Sequence, residues 1–317
     1  FNNEIGLPLT IFNIREEHEV AVLELGISNF GEMERLAKVA RPDICVITNI
    51  GVAHLEHLKS REGILKAKTE IFLYMNPEGS IILNGDDDML STVHPANKIQ
   101  PVFFGLDKNQ DFYADQIESC GLSGTNAVFH TPNSTFCAHI SIPGGHMVHN
   151  ALAGIAVGYA LGMNDEEIKA GIEALVPLAG RNNLIKTDFL TIIDDCYNAN
   201  PASMKSSLDV LAKADTRQVA ILGDMFELGP TEKQMHYEIG KYSAELGIDV
   251  LVCIGQLSEH MATGASEQHS RTQIFYFETK EDFLEQTDRI LNTSDTVLVK
   301  ASNGMKFSEI VNILKEK

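Results

Sequence analysis

The chain has 317 residues, 44% hydrophobic and 22% charged, with 25 Lys and Arg against 44 Asp and Glu and a formal charge of −19. That balance belongs to a globular protein and excludes a disordered tail or a collagen-like repeat, and the acidic excess argues against a nucleic-acid partner. Apolar runs are short and interrupted, so no membrane-spanning helix is expected. The five cysteines (Cys45, Cys120, Cys137, Cys196, Cys253) form no C-x-x-C pair, which argues against a disulfide framework or a zinc knuckle and for a reducing, cytoplasmic location.

The first residues, Phe1-Asn2-Asn3-Glu4, have neither a signal-peptide pattern nor an initiating Met. Residues 20–23 are predicted as a buried strand ending in Glu24-Leu25-Gly26, and a helix is predicted over 31–39, stopped by Pro42. The next strand covers 44–47 and ends in Thr48-Asn49. Ser60 is a good helix N-cap with Glu62 in the first turn, and a third strand over 80–83 ends in Asn84-Gly85-Asp86. Apolar strands alternating with helices predict a parallel sheet covered on both faces. From 101 to 143 the pattern changes to short strands (102–104, 127–129, 137–142) with turn residues between them, an antiparallel extension of the same sheet. An Ala-rich helix follows Gly144-Gly145 over 146–161.

A second series begins near Thr187. Strands are predicted at 190–193, 219–222, 250–254 and 297–299, with helices near 232–246, 281–291 and 306–315. Asn200-Pro201 is a strong helix start. The fold class is therefore α/β, with a mostly parallel central sheet domain over 1–178 and a C-terminal Rossmann-like domain over 179–317.

Ligands in open parallel sheets bind at the carboxyl ends of the strands. Those ends here carry Glu24, Thr48-Asn49, Asn84, Asp194-Asp195, Gly223-Asp224, Gly255-Gln256 and Lys300-Ala301-Ser302, though polar strand ends are also ordinary turn chemistry. Lys68 says more. It lies at helical spacing from Ile64, Ile71 and Phe72, on the apolar stripe of its helix. It is either a snorkelling lysine whose stem covers apolar surface or a desolvated amine with a lowered pKa. Such an amine can add carbon dioxide, and the carbamate is an oxygen ligand for a hard metal. His54 follows the second strand and is either a surface residue or a metal ligand. His146 and His149, at the start of a helix, are either metal ligands or packing and capping residues. No G-x-x-x-x-G-K-[ST] occurs.

The run Asn49-Ile50-Gly51-Val52-Ala53-His54-Leu55-Glu56, followed by Ser60-Arg61-Glu62-Gly63-Ile64 and Ala67-Lys68, resembles the central domain of the Mur ligases. So do Asp195-Cys196-Tyr197-Asn198-Ala199-Asn200-Pro201, Leu222-Gly223-Asp224-Met225-Phe226-Glu227-Leu228-Gly229 and Lys300-Ala301-Ser302-Asn303-Gly304-Met305. The resemblance implies an ATP- and Mg2+-dependent amide ligase of the cytoplasm. Its substrates would be UDP-N-acetylmuramoyl-tripeptide and D-alanyl-D-alanine, joined through an acyl phosphate, and the protein would be a monomer without nucleic-acid or membrane partners. Carried over by position, Glu24, His54 and carbamylated Lys68 would hold magnesium, with Lys68, His54 and Arg181 as the catalytic set. Asn150 would contact adenine, Arg181 the terminal phosphate and Asp195 the ribose. Tyr197, Asn198 and Asn200 would line the nucleotide cleft, and Lys300, Ser302 and Asn303 would face the acceptor. Met147 departs from the family pattern, where Asn is common. The resemblance also implies a UDP-sugar domain and a phosphate loop before Asn2, so the chain reads as N-terminally truncated and inactive alone. The alternatives are another amide ligase of the superfamily, of the folylpolyglutamate or cyanophycin synthetase type, or a non-catalytic binding module.

Overall fold

The structure is a computed structural model and describes residues 2–51 and 55–317. The chain divides into two compact units, one comprising Phe1–Gln116, Ala127–Ala138 and His149–Ile172, the other Ile117–Asn126, His139–Val148 and Glu173–Lys317.

The first sheet runs in sequence order through β1 (Ile44–Ile47), β2 (Ser80–Asn84), β3 (Pro101–Gly105), β4 (Phe112–Ser119), β5 (Thr125–His130) and β6 (Thr135–Ile140). Strands β1 to β4 pair in parallel. Ile81, Ile82 and Leu83 of β2 are buried, which accounts for the unbroken apolar run in the sequence. The connections 120–124 and 131–134 are too short for a parallel crossover, and His139 Nδ1 lies 2.8 Å from Asn126 Oδ1 across β5 and β6. The antiparallel extension is therefore confined to β4, β5 and β6; the strand expected in it at 102–104 is β3, which instead continues the parallel part of the sheet between β2 and β4. Helix Arg61–Thr69 starts as expected, with Gly63 N–H donating to the Ser60 hydroxyl at 3.1 Å. Helix Glu32–Ala40 is also in place.

The strand expected at 20–23 does not form. The segment alternates as a strand does: Leu23 and Leu25 pack on the core and Ile27 is buried, whereas Val22 is 92% exposed. It has no ladder neighbour, because β1 is the end strand of the sheet among the described residues. Among the described residues, its backbone tie near Glu24 is Gly26 N–H to Asn2 O, 2.8 Å. Alternation identified the buried face; hydrogen bonding decides whether a strand exists.

In the second unit, β7 (Asn183–Lys186), β8 (Thr191–Asp194), β9 (Gln218–Gly223), β10 (Val250–Ile254), β11 (Gln273–Phe277) and β12 (Thr296–Lys300) form a sheet in the order β11-β10-β9-β12-β8-β7. All neighbours are parallel except β7 and β8. The chain thus moves outward from β9 to β11 and then returns to insert β12 between β9 and β8. One face packs Ile192, Val219, Val252 and Val299 against Phe307 and Leu314, and the other packs Ile193, Leu222, Leu251 and Leu298 against Met204 and Ile239. This is the doubly wound domain that the sequence predicts.

Strands β4, β7 and β11 are additions to that reading. Strands β7 and β11 close the two edges of their sheet and are half-exposed; β7 is too short and mixed to show an apolar run, whereas β11 carries one in Ile274-Phe275-Tyr276-Phe277. The helix expected over 281–291 is two short ones, Lys280–Leu284 and Thr287–Ile290. The last helix begins at Ser308 rather than 306, because Lys306 has φ 56° in the left-handed region.

Candidate active site

In the first unit the loop after β1 is held through its backbone by side chains from several elements. Asn84 Nδ2 donates to Thr48 O at 3.0 Å, and Lys68 Nζ donates to Asn49 O at 3.0 Å. Ile50 N–H donates to Asp87 Oδ2 at 2.9 Å, and Arg61 Nε donates to Ile50 O at 3.1 Å. Lys68 sits where its sequence spacing places it, on the stripe of buried Ile64, Ile71 and Phe72. Burial pushes its ammonium below the ordinary lysine value, with the Asp87 carboxylate opposing the shift. Its hydrogen-bond partner among the described residues is thus a carbonyl and not a carboxylate.

Glu24 is exposed and accepts a hydrogen bond from Asn2 Nδ2 at 3.2 Å. His54, assigned to magnesium and to the catalytic set, lies outside the described residues. Among the described residues, no group of three His, Cys, Asp or Glu side chains is gathered as a metal site. His149 Nε2 lies 2.8 Å from Asp86 Oδ2, and His146 Nδ1 lies 2.7 Å from Ser206 Oγ, so each has one ring nitrogen tied to a neighbouring side chain. Asn150 is exposed in the first turns of helix His146–Ala160.

In the second unit the ends of β8 and β12 are bound into one network. Lys300, only 2% exposed, donates to Asp195 Oδ2 at 2.6 Å, Asn198 O at 3.1 Å and Asp195 O at 3.4 Å. Asp195 also accepts from Asn182 N at 3.0 Å and from the Ser207 hydroxyl at 2.5 Å. An ammonium has three protons, so Lys300 has no donor left to face an acceptor. The expectation that it does so is corrected: it braces the loop from 195 to 198. Asn200 caps helix Pro201–Leu211 through Ser203 N–H at 2.9 Å, in a reciprocal capping box. Asn198 Oδ1 accepts from Ala199 N at 2.9 Å. Asn303 Nδ2 donates to Tyr197 O at 3.0 Å, and Ser302 Oγ accepts from Phe226 N at 2.9 Å.

Against this braced backbone, Tyr197 projects half-exposed, with the Arg181 guanidinium 4.2 Å from its ring centroid. That stacking fixes the plane of an exposed cation suited to phosphate or carboxylate.

Two buried groups near the end of β9 escape a reading based on motifs. His236 is fully buried: its Nδ1–H donates to Glu232 O at 2.7 Å and its Nε2 accepts from Met225 N at 2.9 Å. That pair of partners fixes the neutral tautomer, and burial lowers the histidine's pKa. Asp224 accepts the backbone N–H and hydroxyl of Ser258 at 2.8 and 2.7 Å. A strand-end Gly-Asp is visible in the sequence. Its burial is not. The thiols of Cys45 and Cys196 are pushed up to about 12 by burial, which leaves them unreactive.

Each of the two units is an α/β unit with a polar network at its strand ends, and sequence comparison gives the family. Residues 1–158 match the Mur ligase middle domain and residues 180–303 match the Mur ligase, glutamate ligase domain. The chain belongs to the Mur ligase family. It is 37% identical to the UDP-N-acetylmuramoyl-tripeptide--D-alanyl-D-alanine ligase of Bacillus subtilis (strain 168), over 100% of this chain and 68% of that protein. A crystal structure of MurF from Acinetobacter baumannii superposes with a TM-score of 0.90 at 32% identity, covering 100% of this chain and 69% of that one. The MurF ligase of Thermotoga maritima, solved in complex with ADP, follows at a TM-score of 0.86 and 27% identity, covering 100% and 71%. No helix among the described residues is long and apolar enough to cross a membrane.

Proposed function

We propose that this chain forms the middle and C-terminal parts of a cytoplasmic, ATP-dependent ligase that joins D-alanyl-D-alanine to UDP-N-acetylmuramoyl-tripeptide in peptidoglycan precursor synthesis. Similarity along the whole chain to ligases of that name supports the reading. The observation that carries it within this molecule is Lys68, a largely desolvated amine hydrogen-bonded to the Asn49 carbonyl, with no carboxylate bonded to it among the described residues. In the reaction, the donor carboxylate takes a phosphoryl group from ATP, and the acceptor amine then displaces phosphate, losing a proton as the amide bond forms.

The donor chemistry suits magnesium. Glu24 is an exposed carboxylate, and carbon dioxide added to the neutral Lys68 amine would turn a nitrogen donor into carbamate oxygens. Glu24, His54 and Lys68 would hold the ion, which when bound offsets phosphate charge. Arg181, oriented by Tyr197, binds the terminal phosphate. Asn150 contacts adenine, and Tyr197 lines the cleft. Asp195, Asn198 and Asn200 contribute by shaping the Tyr197 loop, and Ser302 and Asn303 by shaping the acceptor end of β12.

The test is phosphate release from ATP with the UDP-tripeptide and a panel of amines, using the full-length enzyme. Release that depends on D-alanyl-D-alanine is expected. Turnover with glutamate in its place would assign the chain to the folate-type ligases and overturn the reading.

A further inference from the structure

Buried carboxylates need a cation or a donor on each oxygen. In the second unit Asp295 has Arg217 at 2.7 Å, and the two oxygens of Asp194 accept from Gly180 N at 2.9 Å and the Cys196 thiol at 3.0 Å. Asp224 is different. It is 6% exposed, and no cation pairs with it among the described residues. Only Oδ1 is engaged, by the Ser258 N–H and hydroxyl. Oδ2 accepts no hydrogen bond among the described residues, yet it is not one of the polar atoms sealed from solvent without a partner. It is an oriented, nearly desolvated anionic atom that opens outward.

The surroundings keep it so. Gly255, at φ 114°, passes against the carboxylate, and a Cβ there would lie 2.6 Å from Asp224 Cγ. Ser302, two residues beyond the end of β12, donates its N–H to Asp224 O at 3.0 Å. Lys300, at the end of the neighbouring strand β12, is consumed by Asp195 and the loop carbonyls. The place is the carboxyl edge of an open α/β sheet where the strand order turns back, the usual ligand position in such sheets.

We propose that Asp224 Oδ2 anchors the primary ammonium group of the acceptor, making Asp224 a specificity-determining residue of the C-terminal unit. The identity of the acceptor as D-alanyl-D-alanine rests on the function proposed above; the ammonium chemistry rests on Asp224. One free oxygen suits a compact ammonium. A guanidinium prefers two coplanar oxygens, and a divalent cation needs several oxygen ligands, which no group of three such side chains offers among the described residues.

The experiment is steady-state kinetics of the full-length enzyme with Asp224→Asn, whose amide oxygen can keep both Ser258 bonds. The KM for D-alanyl-D-alanine should rise about tenfold or more, the loss expected for a charge-assisted hydrogen bond, with the KM for ATP unchanged. Propionyl-D-alanine, which lacks the amine, should inhibit the wild type about tenfold more weakly than an amine-bearing, non-ligating dipeptide analogue, and the variant should lose that preference. If Asp224→Asn does not fold, the analogue comparison on the wild type decides alone, and Ser258→Ala should raise the same KM by a smaller factor. Equal inhibition by the two analogues, an unchanged dipeptide KM, or a parallel rise in the ATP KM overturns the proposal. A wild type that ligates no D-alanyl-D-alanine overturns the proposed function, and is told apart because it needs no variant.

Discussion

Two lysines of this chain occupy opposite electrostatic settings. Lys68 lies on the apolar stripe of its helix, with one hydrogen bond to a carbonyl and its charged form disfavoured by burial. Lys300 is more deeply buried, yet its ammonium is fully engaged by Asp195 and two loop carbonyls. Burial alone does not mark a reactive lysine. What matters is whether the protein supplies an anion and acceptors for every proton: with them the residue is a brace, and without them it is poised to lose its charge.

Removing each lysine should break this comparison differently. Lys300→Met leaves the largely buried Asp195 charge uncompensated, and a loss of about 3 kcal/mol or more in urea unfolding is expected. Adding Asp195→Asn to that variant should restore much of the loss; a double variant no more stable than the single one would show that the pair is not the brace described. Lys68→Met should behave in reverse, with stability within about 1 kcal/mol of wild type, because a costly charge leaves along with one hydrogen bond. Phosphate release should nonetheless fall about 100-fold or more. A destabilised but active Lys68→Met enzyme would make Lys68 structural.

A smaller effect sharpens the contrast through His236, which is fully buried and hydrogen-bonded only to backbone groups among the described residues. Its folded pKa lies below the unfolded value of 6.5, so the unfolded chain binds more protons as pH falls. Stability from this residue is present above about pH 6.5 and declines as the solution is acidified through the lower folded pKa. Melting temperatures between pH 7.5 and 5 should therefore drop less steeply for His236→Gln than for wild type. The smallest effect belongs to Asn200→Ala, which loses the cap on helix Pro201–Leu211 at a cost of about 1 kcal/mol; calorimetry of the variant checks it.

By itself the sequence determined what depends on neighbours along the chain. Ser60 and Asn200-Pro201 announce their helices because a cap bonds three residues ahead. The stripe around Lys68 is legible because helical periodicity repeats every few residues, and the central strands are legible because burial on both faces leaves continuous apolar runs. Tertiary structure alone decided the rest. Lys300 and Asp195 are 105 positions apart, so nothing local reveals that each neutralises the other. The alternating segment near Glu24 reads as a strand until the sheet shows it no partner. Asp224 looks like any turn aspartate until packing against Gly255 and Ser258 buries it with one oxygen unmatched. Charge pairing, edge pairing and desolvation are properties of space, and no pattern within a short window of chain records them.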